Sequence, residues 1–458
     1  MPIPVTDVAQ LEARRRALHP RLTRPALLTA GLPPSRNYPA NRYPYRALSH
    51  FLYFVGRPMP GAALLFTDGK TILFAEPPDA EDALWHGPRP ELATLADDLG
   101  FDEVRPIGEI GKLPNAATIP PQDAASASWL SERLGRTITP GSGASLSGAD
   151  AELADALIDM RLRHDDAAIA QLRWAAAVSA EAHVAGMRAT RPGRSERDTL
   201  AAMLAVLRRE GCEDAYGPIV TTRGEVLHSD DHSQPTNAGD LLLADVGGET
   251  PEGWAADITR TWPVSGKFSP TQRAVYEVVL AAQTAAVEAV APGRRYRDVH
   301  EVAKRKVVEG LRALGIFRGA VDGLLERGAA ALFFPHGIGH LVGLDVHDME
   351  DLGDRAGYAP GRTRSPRFGD AYLRLDRDLE PRMLVTIEPG FYQVPGILAD
   401  ERLTAPLGSD LDRDALAKYR DVRGIRIEDD VLVTDSGRDV LTNGVPKDTA
   451  VVEAAVAG

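Results

Sequence analysis

Cysteine is all but missing from this chain of 458 residues: Cys212 stands alone. No intramolecular disulfide can form, so nothing points to an oxidising compartment. A lone cysteine reads as a small buried hydrophobe rather than a nucleophile. Apolar runs of bilayer length are missing too, which argues against a membrane-spanning helix. The opening stretch, MPIPVTDVAQLEARRRALHP, lacks the contiguous apolar core of a signal peptide. Together these absences make a cytoplasmic protein the expectation. Positive charge is in deficit: Lys+Arg number 52 against 65 Asp+Glu, for a net charge of −13. That argues against nucleic acid or an anionic membrane as the main partner. The one tight basic cluster, Arg14-Arg15-Arg16, is expected on a solvated helix face. No HExxH, GxSxG, Walker loop, CxxC or short fixed repeat occurs.

The length calls for two domains. Up to about residue 140, short strand-like apolar runs (25–30, 51–56, 62–76) alternate with helical segments such as 9–19. This predicts a small α/β domain, with Asp68-Gly69 as a hairpin turn. The segment GSGASLSG (141–148) lacks phosphate-cradle spacing and reads as a loop. Residues 150–190 read as helix, closed by Arg191-Pro192-Gly193, and the domains are expected to divide as 1–160 and 161–458. Beyond, predicted helices (196–210, 270–290, 296–314) separate strand candidates at 240–248, 254–264, 383–391 and 424–434.

Each of those strands carries a carboxylate amid apolar or β-branched residues: Asp245, Asp257, Glu388 and Glu428. Any one of them could be a strand-end group reaching solvent. Four together in a core would be costly unless positive charge meets them. Asp245 and Asp257 flank the turn-rich GGETPEG, so a hairpin would oppose them on one face. Arg426 and Glu428, two residues apart, would share a face of an extended strand. One arginine cannot balance four carboxylates, whereas a pair of divalent cations can. PHGIGHLVGLDVHD (335–348) holds three of the chain's eleven histidines, and its glycines let the backbone approach closely. At least one of the three is expected to face a cation and the others a substrate. Hard oxygen donors with one imidazole suit Mn²⁺, with Zn²⁺ or Co²⁺ as alternatives. Paired metals favour hydrolysis.

These residues resemble the pita-bread metallopeptidases, specifically aminopeptidase P and prolidase. The shared motifs are Asp245 followed by ADITRTWPVSGKF (255–268), PHGIGHLVGLDVHD, TIEPGFY (386–392) and GIRIEDDVLVT (424–434). YPYRALSHFLYFVG (43–56) and DALWHG (82–87) extend the likeness to the N-terminal part. The resemblance implies an α/β (α+β) fold, with a small creatinase-like N-terminal domain before a pita-bread catalytic domain. It implies two metal ions on Asp245, Asp257, His340, Glu388 and Glu428. Glu388 would also handle the catalytic proton. His228, His336 and His347 would act near the substrate, Tyr392 and Arg426 would line or support the site, and Tyr216 would bond an aspartate ligand. The implied reaction is cleavage of an N-terminal Xaa-Pro bond in proline-containing peptides, by a homodimer or homotetramer. An Xaa-Pro dipeptidase is the alternative. A non-catalytic pseudo-peptidase is a distant one, since all five ligand positions are filled. A methionine aminopeptidase would lack the N-terminal domain, in which Trp85 is expected to pack or to reach a neighbouring subunit.

Two departures stand out. The aspartates lie twelve residues apart rather than eleven, an insertion best absorbed at the hairpin tip. Ser229-Asp230-Asp231 follow His228 where relatives differ, as a solvated acidic loop or as a rim that favours a cationic N-terminus.

Overall fold

A computed structural model describes residues 2–458. The N-terminal domain is built on a four-stranded sheet in the order Ala26–Thr29, Ala63–Thr67, Lys70–Ala75, Glu103–Pro106. Asp68 and Gly69 both take positive φ, and their tight turn joins the two central strands as the sequence predicts.

The run 51–56 is not a strand. Ser49–Val55 is a helix with every residue buried, stopped by Gly56 in the left-handed region. An element enveloped on all sides loses its 3.6-residue signature, so a short apolar run cannot reveal its type. The basic cluster is also corrected. On the helix Val8–Leu18, Arg14 and Arg15 are buried and only Arg16 faces solvent. Arg14 pairs with Asp165 at 2.8 Å, and Arg15 donates to the carbonyls of Phe54, Leu99 and Gly100. These guanidiniums satisfy carbonyls at helix ends that would otherwise be orphaned.

The predicted helix 150–190 is two helices, Gly148–Arg161 and Asp166–Ala189. Asp165 breaks it by capping the second, accepting from the Ala168 amide at 2.8 Å. The helices Glu196–Arg209, Pro270–Ala289 and Tyr296–Ala313 follow the predicted ranges. They enclose two three-stranded sheets, Thr259–Pro263 / Leu241–Asp245 / Ile219–Thr221 and Leu384–Ile387 / Asp429–Val433 / Arg438–Val440. Gly390–Tyr392 pairs separately with Gly424–Arg426.

Arg260 and Asp429 join the two sheets. The pair is fully buried at 2.6 Å, and Asp429 also accepts from Thr442, Gln283 and Lys447. Removing one partner of a buried pair leaves an uncompensated charge. Arg260→Ala is therefore expected to cost about 3–5 kcal/mol. A lowered thermal midpoint checks this, and an unchanged one would show that the remaining partners suffice.

Candidate metal centre

The four carboxylates meet through a diagonal pairing in one hairpin and a second site, a break in strand pairing, in the other sheet. In the first hairpin Asp245 faces Thr259 and Glu249 faces Ala255, one continuous register. Asp257 thus stands across from Gly247, diagonal to Asp245 and on its face, not directly opposed as the turn suggested. The position demands glycine: a Cβ on Gly247 would lie 1.8 Å from the Ala256 carbonyl oxygen. The chain reverses at Thr250–Gly253, so the register holds down to the tip. Tyr216 ties the diagonal pair together, its hydroxyl lying 2.6 Å from Asp245 and 2.7 Å from Asp257.

The break lies at Glu388-Pro389. Ile387 faces Asp429 and Gly390 faces Arg426, so Glu388 stands opposite Glu428 in the gap. Proline has no amide to donate there, which opens the ladder and separates the expected single strands into 384–387 with 390–392, and 424–426 with 429–433. Arg426 and Glu428 still converge, through Thr259: Arg426 Nε donates to its hydroxyl at 3.0 Å, and that hydroxyl lies 2.6 Å from Glu428.

PHGIGH runs beside Leu384–Ile387. His340 Nδ1 lies 3.0 Å from the Leu341 carbonyl, to which it donates. That fixes Nε2 as the free lone pair, 3.4 Å from Asp257 and 3.6 Å from Glu388. Gly337 and Gly339 allow this approach. A Cβ on Gly337 would meet the Leu373 backbone at 2.7 Å, and one on Gly339 the Thr386 hydroxyl at 2.3 Å.

Donor atoms of Asp257, His340 and Glu428 lie within 4.8 Å of one another. Burial first, then Asp245, pushes the Asp257 carboxyl up to about 7. Burial lifts Glu388 to about 7 against the pull of His340 and Arg426, and Glu428 well above the usual range, with Asp257 and Glu388 adding to the latter. Arg426 bonds one of the four directly, meeting Asp245 at 2.5 Å. A carboxylate cluster short of positive charge, faced by one oriented imidazole lone pair, is a donor set fitted to divalent cations.

A cavity of about 400 Å³ opens over this cluster, lined by the five donors together with His228, His336, His347 and Arg426. Tyr392 does not line it. It is fully buried, its hydroxyl consumed between His336 Nε2 at 3.0 Å and Arg426 Nη1 at 3.1 Å, so it supports the wall from behind. His336 also engages the Gly337 carbonyl at 2.8 Å, so both its ring nitrogens are committed. Burial, then the Arg426 charge, keeps it neutral, with its pKa down at about 3. Burial likewise lowers His228 and His347.

Asp230 and Asp231 are not among the lining residues, and Asp231 instead accepts from the Ser233 amide at 2.8 Å. The acidic-rim expectation therefore has no support here. Several residues were missed. Phe368, Tyr372 and Arg374 come from the Arg-rich segment 351–382, and Val394 and Ile397 from the one after it. Asp430 receives the Asp257 amide at 3.0 Å. The adjacent acids in IEDD were the one local signal for Asp430; nothing local marks the others.

The whole arrangement has counterparts. Residues 170–435 match the model of metallopeptidase family M24, and residues 11–120 that of the aminopeptidase P N-terminal domain. A probable Xaa-Pro aminopeptidase of Talaromyces stipitatus is 35% identical over 428 residues, covering 91% of this chain and 88% of that protein. The Xaa-Pro aminopeptidase of Haemophilus influenzae is 33% identical over 426 residues, covering 90% and 88%. Among solved structures, Escherichia coli aminopeptidase P with the inhibitor Pro-Leu superposes with a TM-score of 0.80 at 29% identity, covering 99% of each chain. Pseudomonas aeruginosa aminopeptidase PepP gives 0.78 at 31%, covering 99% of this chain and 98% of that one. With the donor set, the cavity and both matched regions in agreement, this chain belongs to metallopeptidase family M24.

Proposed function

We propose that the protein is an Xaa-Pro aminopeptidase, releasing the first residue of peptides whose second residue is proline. The observation that carries this reading is the convergence of three buried carboxylates, the partly buried Glu388 and one oriented imidazole in a cavity walled by three further histidines. The names of the relatives supply the substrate class. A tertiary Xaa-Pro amide has no N–H to offer, so a dedicated site makes physical sense.

In this reading Asp245, Asp257, His340, Glu388 and Glu428 hold two divalent ions, Mn²⁺ by preference for an oxygen-rich shell. When bound, such ions polarise a carbonyl and acidify water. Glu388 carries the catalytic proton. His228 and His347 contact the substrate, and His336 presents its ring to the same space. Arg426 orients Asp245, and Tyr392 locks Arg426 to His336. The division at 1–160 and 161–458, a cytoplasmic setting and a homodimer or homotetramer belong to the same proposal. Leu84 and Trp85 support the last: they are 77% and 75% exposed side by side, so Trp85 is not the packed tryptophan the sequence suggested.

The test is hydrolysis of Ala-Pro and Ala-Pro-Ala after EDTA treatment and Mn²⁺ add-back. Both are expected to be cleaved, with activity lost to EDTA and restored by Mn²⁺. Cleavage of the dipeptide alone would make the protein an Xaa-Pro dipeptidase. Cleavage of neither, with metal bound, would overturn the substrate class.

A further inference from the structure

His347 is held by a residue that none of the recognised motifs contains. Its Nδ1 bonds Glu350 Oε2, and the other carboxylate oxygen, Oε1, accepts from Arg374 Nε at 2.9 Å. An ionised carboxylate only accepts, so His347 Nδ1 is the donor and Nε2 is left free. The His347 ring lies against that of His340, with centroids 4.0 Å apart, at the cavity wall. Both oxygens of Glu350 are therefore spent on residues that line the cavity.

The turn carrying Glu350 is tied in place by its backbone and its packing. Met349 takes a φ of 59°, the Glu350 amide donates back to the His347 carbonyl at 3.2 Å, and Leu352 is fully buried. It rests on the N-terminal domain. A Cβ on Gly143 would lie 2.3 Å from the Asp351 carbonyl oxygen, and one on Gly353 would lie 2.7 Å from Ala144 Cβ. The glycine-serine stretch 141–148 is thus a close-packed seat for this turn. His50 reinforces it, meeting Asp351 at 3.1 Å through Nε2 while Arg161 donates to its Nδ1 at 3.0 Å.

We infer that Glu350 is a positioning residue for the reaction, aiming the free Nε2 of His347 into the cavity from a turn seated on the N-terminal domain. The inference rests on the proposed Xaa-Pro aminopeptidase reading. Steady-state kinetics on Ala-Pro-Ala with E350A and E350Q test it, with bound metal and thermal midpoint measured for each. E350A is expected to lower kcat about 10- to 100-fold, the usual loss when a carboxylate orienting a site histidine is removed. KM should move little and metal content should not change. E350Q keeps one oxygen acceptor for Nδ1–H but turns an amide NH2 towards Arg374, so it should recover part of the loss. In the Zn²⁺-loaded protein with ¹⁵N-histidine, His347 should be the Nδ1–H tautomer and should lose that preference in E350A. Unchanged kcat in E350A, a loss confined to KM, an E350Q no better than E350A, or an unchanged tautomer would each overturn the inference. Wild type assayed alongside separates the two claims. If it is active while E350A is unaffected, the inference alone falls; if it is inactive with metal bound, both fall.

Discussion

Glu388→Ala is expected to lower kcat/KM for Ala-Pro-Ala by about 1,000- to 10,000-fold, the range for loss of a positioned acid–base group. Glu388 stands where pairing opens at Pro389, opposite Glu428 and lining the cavity. His336 Nδ1 and His340 Nε2 lie 3.8 and 3.6 Å from its carboxylate, beyond hydrogen-bond range. The fold therefore does not lean on it. Burial without a partner is unfavourable in the metal-free chain, so the variant's thermal midpoint without metal should equal or exceed that of wild type. Lost turnover with an intact fold is the signature of a residue kept for chemistry. Activity within tenfold of wild type, at saturating Mn²⁺, would remove Glu388 from the proposed mechanism.

Metal affinity should fall steeply as pH drops below 7. Asp257 and Glu388 reach about 7 in the metal-free chain, chiefly through burial. Both must lose their protons to bind a cation, so affinity falls up to tenfold per displaced proton for each unit of pH. The stability of the metal-free chain has the opposite sign. Folded, it keeps protons that the unfolded chain sheds near its ordinary carboxylate range, so its stability declines as pH rises towards 7. Added Mn²⁺ relieves that decline. The rise in thermal midpoint on adding Mn²⁺ should therefore be larger at about pH 8 than at about pH 5.5, measured at matched ionic strength. A rise that is flat or shrinks with pH would mean that these carboxylates do not bind the ions.

Some of this molecule was legible residue by residue. Asp68-Gly69 names its own turn because few residues accept positive φ in succession. The helix at Pro270 begins with a capping box between Ser269 and Gln272, a signal contained within four residues. The donor set was legible for a different reason: acids inside apolar strands are tolerable only if something pays for their charge, and that logic needs no coordinates.

What the sequence by itself determined, then, is which side chains gather at the cavity and most of the elements that carry them. Their order and chemistry are local properties, and Pro389 even marks where one strand must open. Only the tertiary structure decided what each residue meets across long separations. Arg14 looked solvated until Asp165, 151 residues away, came within 2.8 Å. Ser49–Val55 looked like a strand because its neighbours on every side are supplied by other segments. Glu350 lies three residues from His347, yet its importance depends on Arg374 and on a seat built by Gly143 and Ala144. Backbone propensity and burial pattern act over a turn or two, whereas charge pairing and close packing act through space, and the chain order does not record which distant groups will share that space.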